Sequence, residues 1–277
     1  MANKSISRGT TSPGTFCFIV DFSGSTARDG KYKTFLRAVF ECLDSMVTRC
    51  TVMDQLKERF KVYIIGFNSK PTLLFQGGVQ ETDDLLANYT ADNFLQDRPE
   101  VRPEGLTCAG DAISFATNLV LPEIERQRGK GQPVPDPIFM MCWDGFPEEA
   151  GRTDAQARNH FLAEARRAQE VKSDDGHLLF FNIHFEPGGN SPEYIMPSSA
   201  SGITDEDVQA LYEASSEIPE EWVSYAHAQG FGNVNSGSRG MISNAHDYSL
   251  LTRFIQFGTI TGLGRRRERE QDPLLDF

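Results

Sequence analysis

The sequence predicts a doubly wound α/β domain: a mostly parallel sheet with one antiparallel edge strand and helices on both faces. Three observations carry that expectation. Short, continuous apolar runs recur along the chain and are bounded by turn residues, the mark of strands buried on both faces. Segments with helical periodicity separate these runs, so strand and helix alternate. Two of the runs end directly in an aspartate, Asp21 and Asp144.

Each element has its own warrant. Thr15–Val20 (TFCFIV) is the first expected strand. Lys31–Asp54 places apolar residues at Phe35, Leu36, Val39, Phe40, Leu43, Met46 and Val47, the recurrence of a helix packed on a sheet. Lys61–Phe67 (KVYIIGF) is the second strand. Thr72–Val79 follows it after too few residues for a crossover, so it is expected to pair antiparallel at an edge. Gly105–Arg126 is expected as a helix opened by a Gly-Leu-Thr turn, and Pro137–Trp143 (PIFMMCW) as a third strand. Thr153–Val171, rich in Ala, Arg, Gln and Glu, predicts a half-exposed helix, and His177–Phe185 the next strand.

Residues 186–245 are rich in Pro, Gly, Ser and Asn and are expected as long connections elaborating the same domain. They flank one helix near Thr204–Glu213, with Thr204 as its N-cap and Asp207 three residues on. Asp247–Phe257 is the last expected helix. The expected organisation is an extension over residues 1–14, one domain over 15–262 and a charged, solvated tail over 263–277.

Composition narrows the function. Lys and Arg number 27 against 39 Asp and Glu, a formal net charge of −12, which disfavours nucleic acid and anionic lipid as partners. The five cysteines, Cys17, Cys42, Cys50, Cys108 and Cys142, are an odd set without a C-x-x-C pair. They predict free, buried thiols and a reducing, cytoplasmic location, with Cys108 the one expected to be partly exposed. The N-terminal segment has no apolar core of a secretory signal, and Ile138–Trp143 and Leu178–Phe181 fall far short of a membrane span.

The chemistry lies in Asp21-Phe22-Ser23-Gly24-Ser25, directly after the first strand. Strand alternation and the turn that follows let Asp21, Ser23 and Ser25 converge at the carboxyl edge of a parallel sheet, where such folds bind ligands. One carboxylate and two hydroxyls form an all-oxygen set suited to a hard cation such as Mg²⁺. Gly105-Leu106-Thr107 adds a hydroxyl at a helix entrance, and Asp144-Gly145 a second carboxylate after a buried strand. Taken residue by residue, Asp21 and Asp144 also suit the capping of loop amides, and Thr107 a helix N-cap.

This pattern, D-x-S-x-S, a Gly-flanked Thr and then D-G after a buried strand, resembles the von Willebrand factor A family and its metal-ion-dependent adhesion site. The runs VDFSGS, GLTCAGDAI and CWDGFP are most similar to the intracellular bacterial members found with tellurium-resistance and stress-response genes. The resemblance spans about residues 16–260. It implies that Ser23, Ser25 and Thr107 bind a divalent cation through hydroxyls, Mg²⁺ first and Mn²⁺ or Ca²⁺ as alternatives. Asp21 and Asp144 would act mainly through water. It implies a non-enzymatic protein-interaction module whose partner presents an Asp or Glu carboxylate, in a bacterial stress-response or defence complex. Two positions depart from the common family pattern. Trp143 stands where Thr is frequent and is expected to pack beside the site, and Cys108 follows Thr107 where Pro or an apolar residue is frequent.

Other chemistries fit less well. Gly9–Gly14 has the spacing of a phosphate loop, but Thr15 stands where Lys is needed and the loop precedes its strand. No G-x-G-x-x-G or G-x-S-x-G motif is present. A metal-dependent phosphohydrolase or phosphotransferase on the same site is the alternative function, against which Ser23 stands where a second acid is required. A nucleic-acid-linked subunit is a third, opposed by the charge. The five histidines, His160, His177, His184, His227 and His246, show no metal-ligand spacing and are expected at the surface or satisfied in the core.

Overall fold

Alternation within the first strand, β1 (Gly14–Asp21), builds the core on both sides of a sheet. Phe16, Phe18 and Val20 pack into one layer, and Cys17 and Ile19 into the other. The computed structural model describes residues 13–28, 30–51, 60–98, 101–174, 176–186 and 191–270, with side chains as far as Thr259. The short α1 (Gly24–Arg28) and the long α2 (Lys31–Thr51) follow β1. Asp54, the expected end of that helix, lies outside the described residues. Next come β2 (Phe60–Phe67), β3 (Pro71–Gly77), α3 (Val79–Asn88), α4 (Ala109–Gly129), β4 (Ile138–Trp143), α5 (Asp154–Gln169) and β5 (Leu179–Phe185). The last third holds β6 (Tyr194–Ile195), α6 (Glu206–Ala214), a 3₁₀ turn at Glu220–Trp222, α7 (Val223–Ala228), β7 (Met241–Ala245) and α8 (Tyr248–Glu270).

The seven strands lie in the order β3-β2-β1-β4-β5-β7-β6. The five central strands are parallel, and β3 and β6 run antiparallel at the two edges. The predicted doubly wound, mostly parallel class is therefore observed. The predicted edge strand is β3; the second antiparallel edge, β6, lies within the stretch expected only as connections. Helices α2, α3, α7 and α8 cover one face, and α4, α5 and α6 the other. All seven apolar positions named for α2 are buried. A fully buried side chain of that size contributes roughly 1.5 to 3 kcal/mol, against about 0 to 1 kcal/mol for an exposed ion pair. Packing of α2 on the sheet therefore outweighs the surface charges.

Several boundaries move for local reasons. Val79 opens α3 instead of closing β3, because the Glu81 carboxylate accepts from the Gly78 amide at 2.8 Å and completes a helix start. The fourth helix begins at Ala109, not Gly105. His177 forms an isolated bridge to Lys172, and β5 starts at Leu179. Asp205, not Thr204, caps α6, its carboxylate accepting from the amides of Asp207 and Val208 at 2.9 and 3.1 Å. Helix α8 continues to Glu270, beyond residue 262. Among the described residues no helix is long and apolar enough to cross a membrane.

All five cysteines are free and buried. Cys108, expected to be partly exposed, is 5% exposed. Burial pushes the Cys17 and Cys142 thiols far up, that of Cys42 to about 12 and that of Cys108 to about 11. The thiolate is the reactive form. Native protein should therefore react slowly with a thiol reagent at pH 8, and urea-unfolded protein should titrate five thiols. Fewer than five would show a disulfide.

His184 in β5 is buried, and its Nδ1 lies 3.1 Å from the Ser243 hydroxyl. Burial lowers its pKa from 6.5 to about 4. A base whose folded pKa is depressed stabilises fully above its unfolded pKa, and that stability is lost as pH falls through the folded value. Between pH 7 and 4.5, urea unfolding should show wild type losing about 2 to 3 kcal/mol more than His184→Asn. Equal losses would assign the acid sensitivity elsewhere.

Candidate metal centre

The order of the sheet reverses between β1 and β4, and at such a point the loops leaving neighbouring strands diverge and open a crevice. Val20 pairs with Cys142 in register, so Asp21 at the end of β1 and Asp144 just past β4 reach the same edge. They are 0% and 3% exposed. The loop after β1 folds back on its own acid: the Ser23 amide donates to Asp21 Oδ1 at 2.6 Å. The hydroxyls of Ser23 and Ser25 are 3.0 Å apart, and Ser25 donates to Asp144 Oδ2. Thr26 fixes this turn, donating to the carbonyls of Asp21 and Ser23 at 3.2 and 3.0 Å. Four of the five predicted residues thus form one connected cluster.

Thr107 lies on a separate segment and is not bonded to that cluster through its hydroxyl. The Gly24 amide donates to the Gly105 carbonyl at 3.0 Å, tying that segment to the serine loop. Gly105 has φ +87°, and a Cβ there would lie 2.5 Å from the Ser69 hydroxyl, which accepts from the Leu106 amide. Thr107 is 3% exposed and exchanges both backbone hydrogen bonds with Glu148, at 3.1 and 3.0 Å. Cys108 occupies the N-cap of α4, so Thr107 is not the helix cap that its sequence position allowed.

The electrostatics are those of a like-charge pair removed from water. Burial, and then the nearby Asp144 charge, hold the Asp21 carboxyl well above the usual range; the Ser23 hydrogen bonds oppose them and do not prevail. Asp21 Oδ2 and Asp144 Oδ1 are buried without a hydrogen-bond partner. Each such orphan costs roughly 1 to 3 kcal/mol. Two carboxylates with spare oxygens beside small hydroxyls fit a hard divalent cation, which takes oxygen ligands. Among the described residues no group of three or more His, Cys, Asp or Glu could hold a metal ion, so a cation here would depend on the hydroxyls as well as the two carboxylates.

Trp143, expected to pack beside the site, is buried in the core directly before Asp144, its ring 4.7 Å from that of Phe161 in α5. Residues that no spacing singled out lie around the centre. The Glu149 carboxylate, 8% exposed, accepts from His160 Nδ1 at 2.8 and 3.0 Å and from Arg152. This clamp holds the loop whose Glu148 pairs with Thr107. Its only trace in the sequence is the pair Glu148-Glu149 after Pro147, since His160 sits 11 residues away on a helix.

No family model matches the sequence. No curated protein matches it either. Among solved structures the chain is similar to the pilus adhesin SpaC from Lactobacillus rhamnosus GG in its open conformation, at 12% identity and a TM-score of 0.54. That alignment covers 92% of this chain and 30% of the adhesin, so the chain spans under a third of that protein's length. At this identity the likeness is one of fold. A weaker likeness, TM-score 0.40 at 13% identity, is to proximal thread matrix protein 1 from the mussel byssus with a zinc-occupied MIDAS motif, covering 76% of this chain and 43% of that one.

If the clamp positions Thr107, Glu149→Gln should weaken Mg²⁺ binding roughly tenfold, the lower end of what loss of an outer-shell partner costs. Calorimetric titration reads this directly. An unchanged affinity would show that the backbone pairing holds Thr107 unaided.

Proposed function

We propose that the chain is a von Willebrand factor A-type domain that binds a divalent cation and uses it to hold an acidic side chain of a protein partner. The observation that supports it above all is the pair of buried carboxylates, Asp21 and Asp144, each with one unpartnered oxygen among the hydroxyls of the serine loop. Ser23, Ser25 and Thr107 would hold the ion through hydroxyls, and Asp21 and Asp144 mainly through water. Five small oxygen donors suit Mg²⁺, with Mn²⁺ next and Ca²⁺ less favoured for its larger shell. When bound, the ion supplies a Lewis-acidic position for a carboxylate from outside the chain.

The module is non-enzymatic in this reading. Ser23 stands two residues after Asp21, where phosphoryl chemistry needs an acid; of the two imidazoles packed against these loops, His160 is engaged by Glu149 and His184 is buried beside the Ser243 hydroxyl. The Cys108 thiol is buried and its pKa raised, which disfavours a nucleophile. Five free, buried cysteines support a reducing, cytoplasmic setting. The sequence resemblance supports a bacterial stress-response or defence complex as the context.

Calorimetric titration of Mg²⁺ and Mn²⁺ into wild type, Asp21→Ala and Thr107→Ala tests the site. Asp21→Ala should abolish binding with the fold retained, and relief of repulsion should raise metal-free stability by about 0.5 kcal/mol. Thr107→Ala should weaken binding and leave it measurable. Phosphatase turnover with Mg²⁺ should be absent. Undiminished metal binding by Asp21→Ala would overturn the assignment.

A further inference from the structure

Two residues beyond Asp144 the chain turns a phenylalanine out into solvent. Phe146 is 52% exposed, the most exposed large hydrophobic side chain among the described residues. Its ring is not loosely hung. Gly145 precedes it at φ +83°, where a Cβ would be strained and would also lie 3.3 Å from the His184 ring. Pro147 follows it and is buried. The Phe146 ring stands edge-on to the buried His184 imidazole, centroids 6.0 Å apart at 81°. Consecutive Cα atoms are about 3.8 Å apart, so Phe146 lies within about 8 Å of Asp144 along the backbone. Leu106, half-buried, immediately precedes Thr107 on the other loop. Each of these two ligand loops therefore carries an apolar residue beside its ligand.

The contact with His184 fixes one edge of the ring and leaves about half of the side chain in water, an exposed apolar surface that a polar residue would not carry. Charge indicates what would cover the ring. The chain carries a net −12, so an acidic partner gains no general attraction from it. A single carboxylate contact orients a partner more than it holds one, and the remaining affinity has to come from desolvated apolar area. We propose that the partner segment carries an apolar side chain beside its Asp or Glu, seated against Phe146 and Leu106 while the carboxylate meets the metal centre. This rests on the metal-dependent reading above and adds the partner's second recognition element.

The test is selection of a phage-displayed random peptide library on the intact chain, in Mg²⁺ and in EDTA, with wild type and Phe146→Ser. Wild type in Mg²⁺ should enrich peptides with an acid within two positions of an apolar residue. Phe146→Ser should keep wild-type Mg²⁺ affinity by calorimetry and still enrich acids, with the apolar neighbour lost. The leading wild-type peptide, resynthesised, should bind the variant about tenfold more weakly, the effect of forfeiting about half a phenylalanine's burial. Acid enrichment in Mg²⁺ without an apolar neighbour would overturn this inference and leave the metal-dependent reading standing. No Mg²⁺-dependent acid enrichment would overturn both. A variant with impaired Mg²⁺ binding would assign Phe146 to shaping the Asp144 loop, and would overturn its role as a contact.

Discussion

Two carboxylates held out of water at neighbouring strand ends set the terms for everything around them. Two unit charges about 4 Å apart repel by about 4 kcal/mol at the effective dielectric of a protein surface, and by more as water is excluded. A hydrogen bond to a charged group returns roughly 1.5 to 3 kcal/mol. The Ser23 amide on Asp21 and the Ser25 hydroxyl on Asp144 therefore offset part of the repulsion and leave two oxygens unpartnered. A folded chain can hold such a pair in three ways: by protonating one acid, by opening the loops to water, or by admitting a cation. Burial and the neighbouring Asp144 charge raise the pKa of Asp21, which moves the metal-free chain toward the first solution. The surrounding donors are suited to the third.

The second solution is closed off by the frame. Asp21 and Asp144 extend strands whose side chains are buried on both faces, and the acids cannot separate without disturbing the pairing of β1 with β4. The loops are pinned as well. The serine turn is bonded through Thr26 to the end of β1, through Gly24 to Gly105, and the Thr107 segment is paired to Glu148. Glu149, clamped by His160 and Arg152, holds that last loop from beneath. The core on the two faces of the sheet thus supplies the free energy that keeps an unfavourable charge arrangement in place, a common way for a site to be preorganised.

Parts of this were legible in the sequence because the physics that produces them is local. Phe16, Phe18, Val20, Cys17 and Ile19 form an uninterrupted apolar run because both faces of β1 are covered, and an aspartate ending that run marks the rim. The α2 stripe was legible for a similar reason, since one helix face meets one sheet face. Helix α3 was not: only Val79, Thr82 and Leu85 are buried, too sparse a stripe among acids to show a period. Strand β7 was also hidden, because Ser243 and Asn244 are buried polar residues whose partners, His184 and Pro192, lie 50 to 60 positions away. Cys108 follows a residue at the rim and looked accessible; the pairing of Thr107 with Glu148 brings a second loop over it. Apart from the sparse stripe of α3, what escaped is a contact between distant segments.

The choice of hydroxyls over further acids gives the site its character. Two carboxylates would balance the charge of a divalent cation, and Ser23, Ser25 and Thr107 would add oxygen ligands without adding charge. An acid at position 23 would add a third carboxylate to a pair that already pushes one of its members toward the protonated form. The added repulsion would exceed what the Ser23 amide and Ser25 hydroxyl offset, and the bound state would be net negative and would repel a carboxylate from outside. In the proposed function a serine there would keep the metal-free chain foldable and the loaded site receptive to an anion. The same substitution removes the general acid beside Asp21 that phosphoryl transfer requires. One small hydroxyl, at a buried position 1% exposed, thus supports the proposed recognition role over the catalytic alternative.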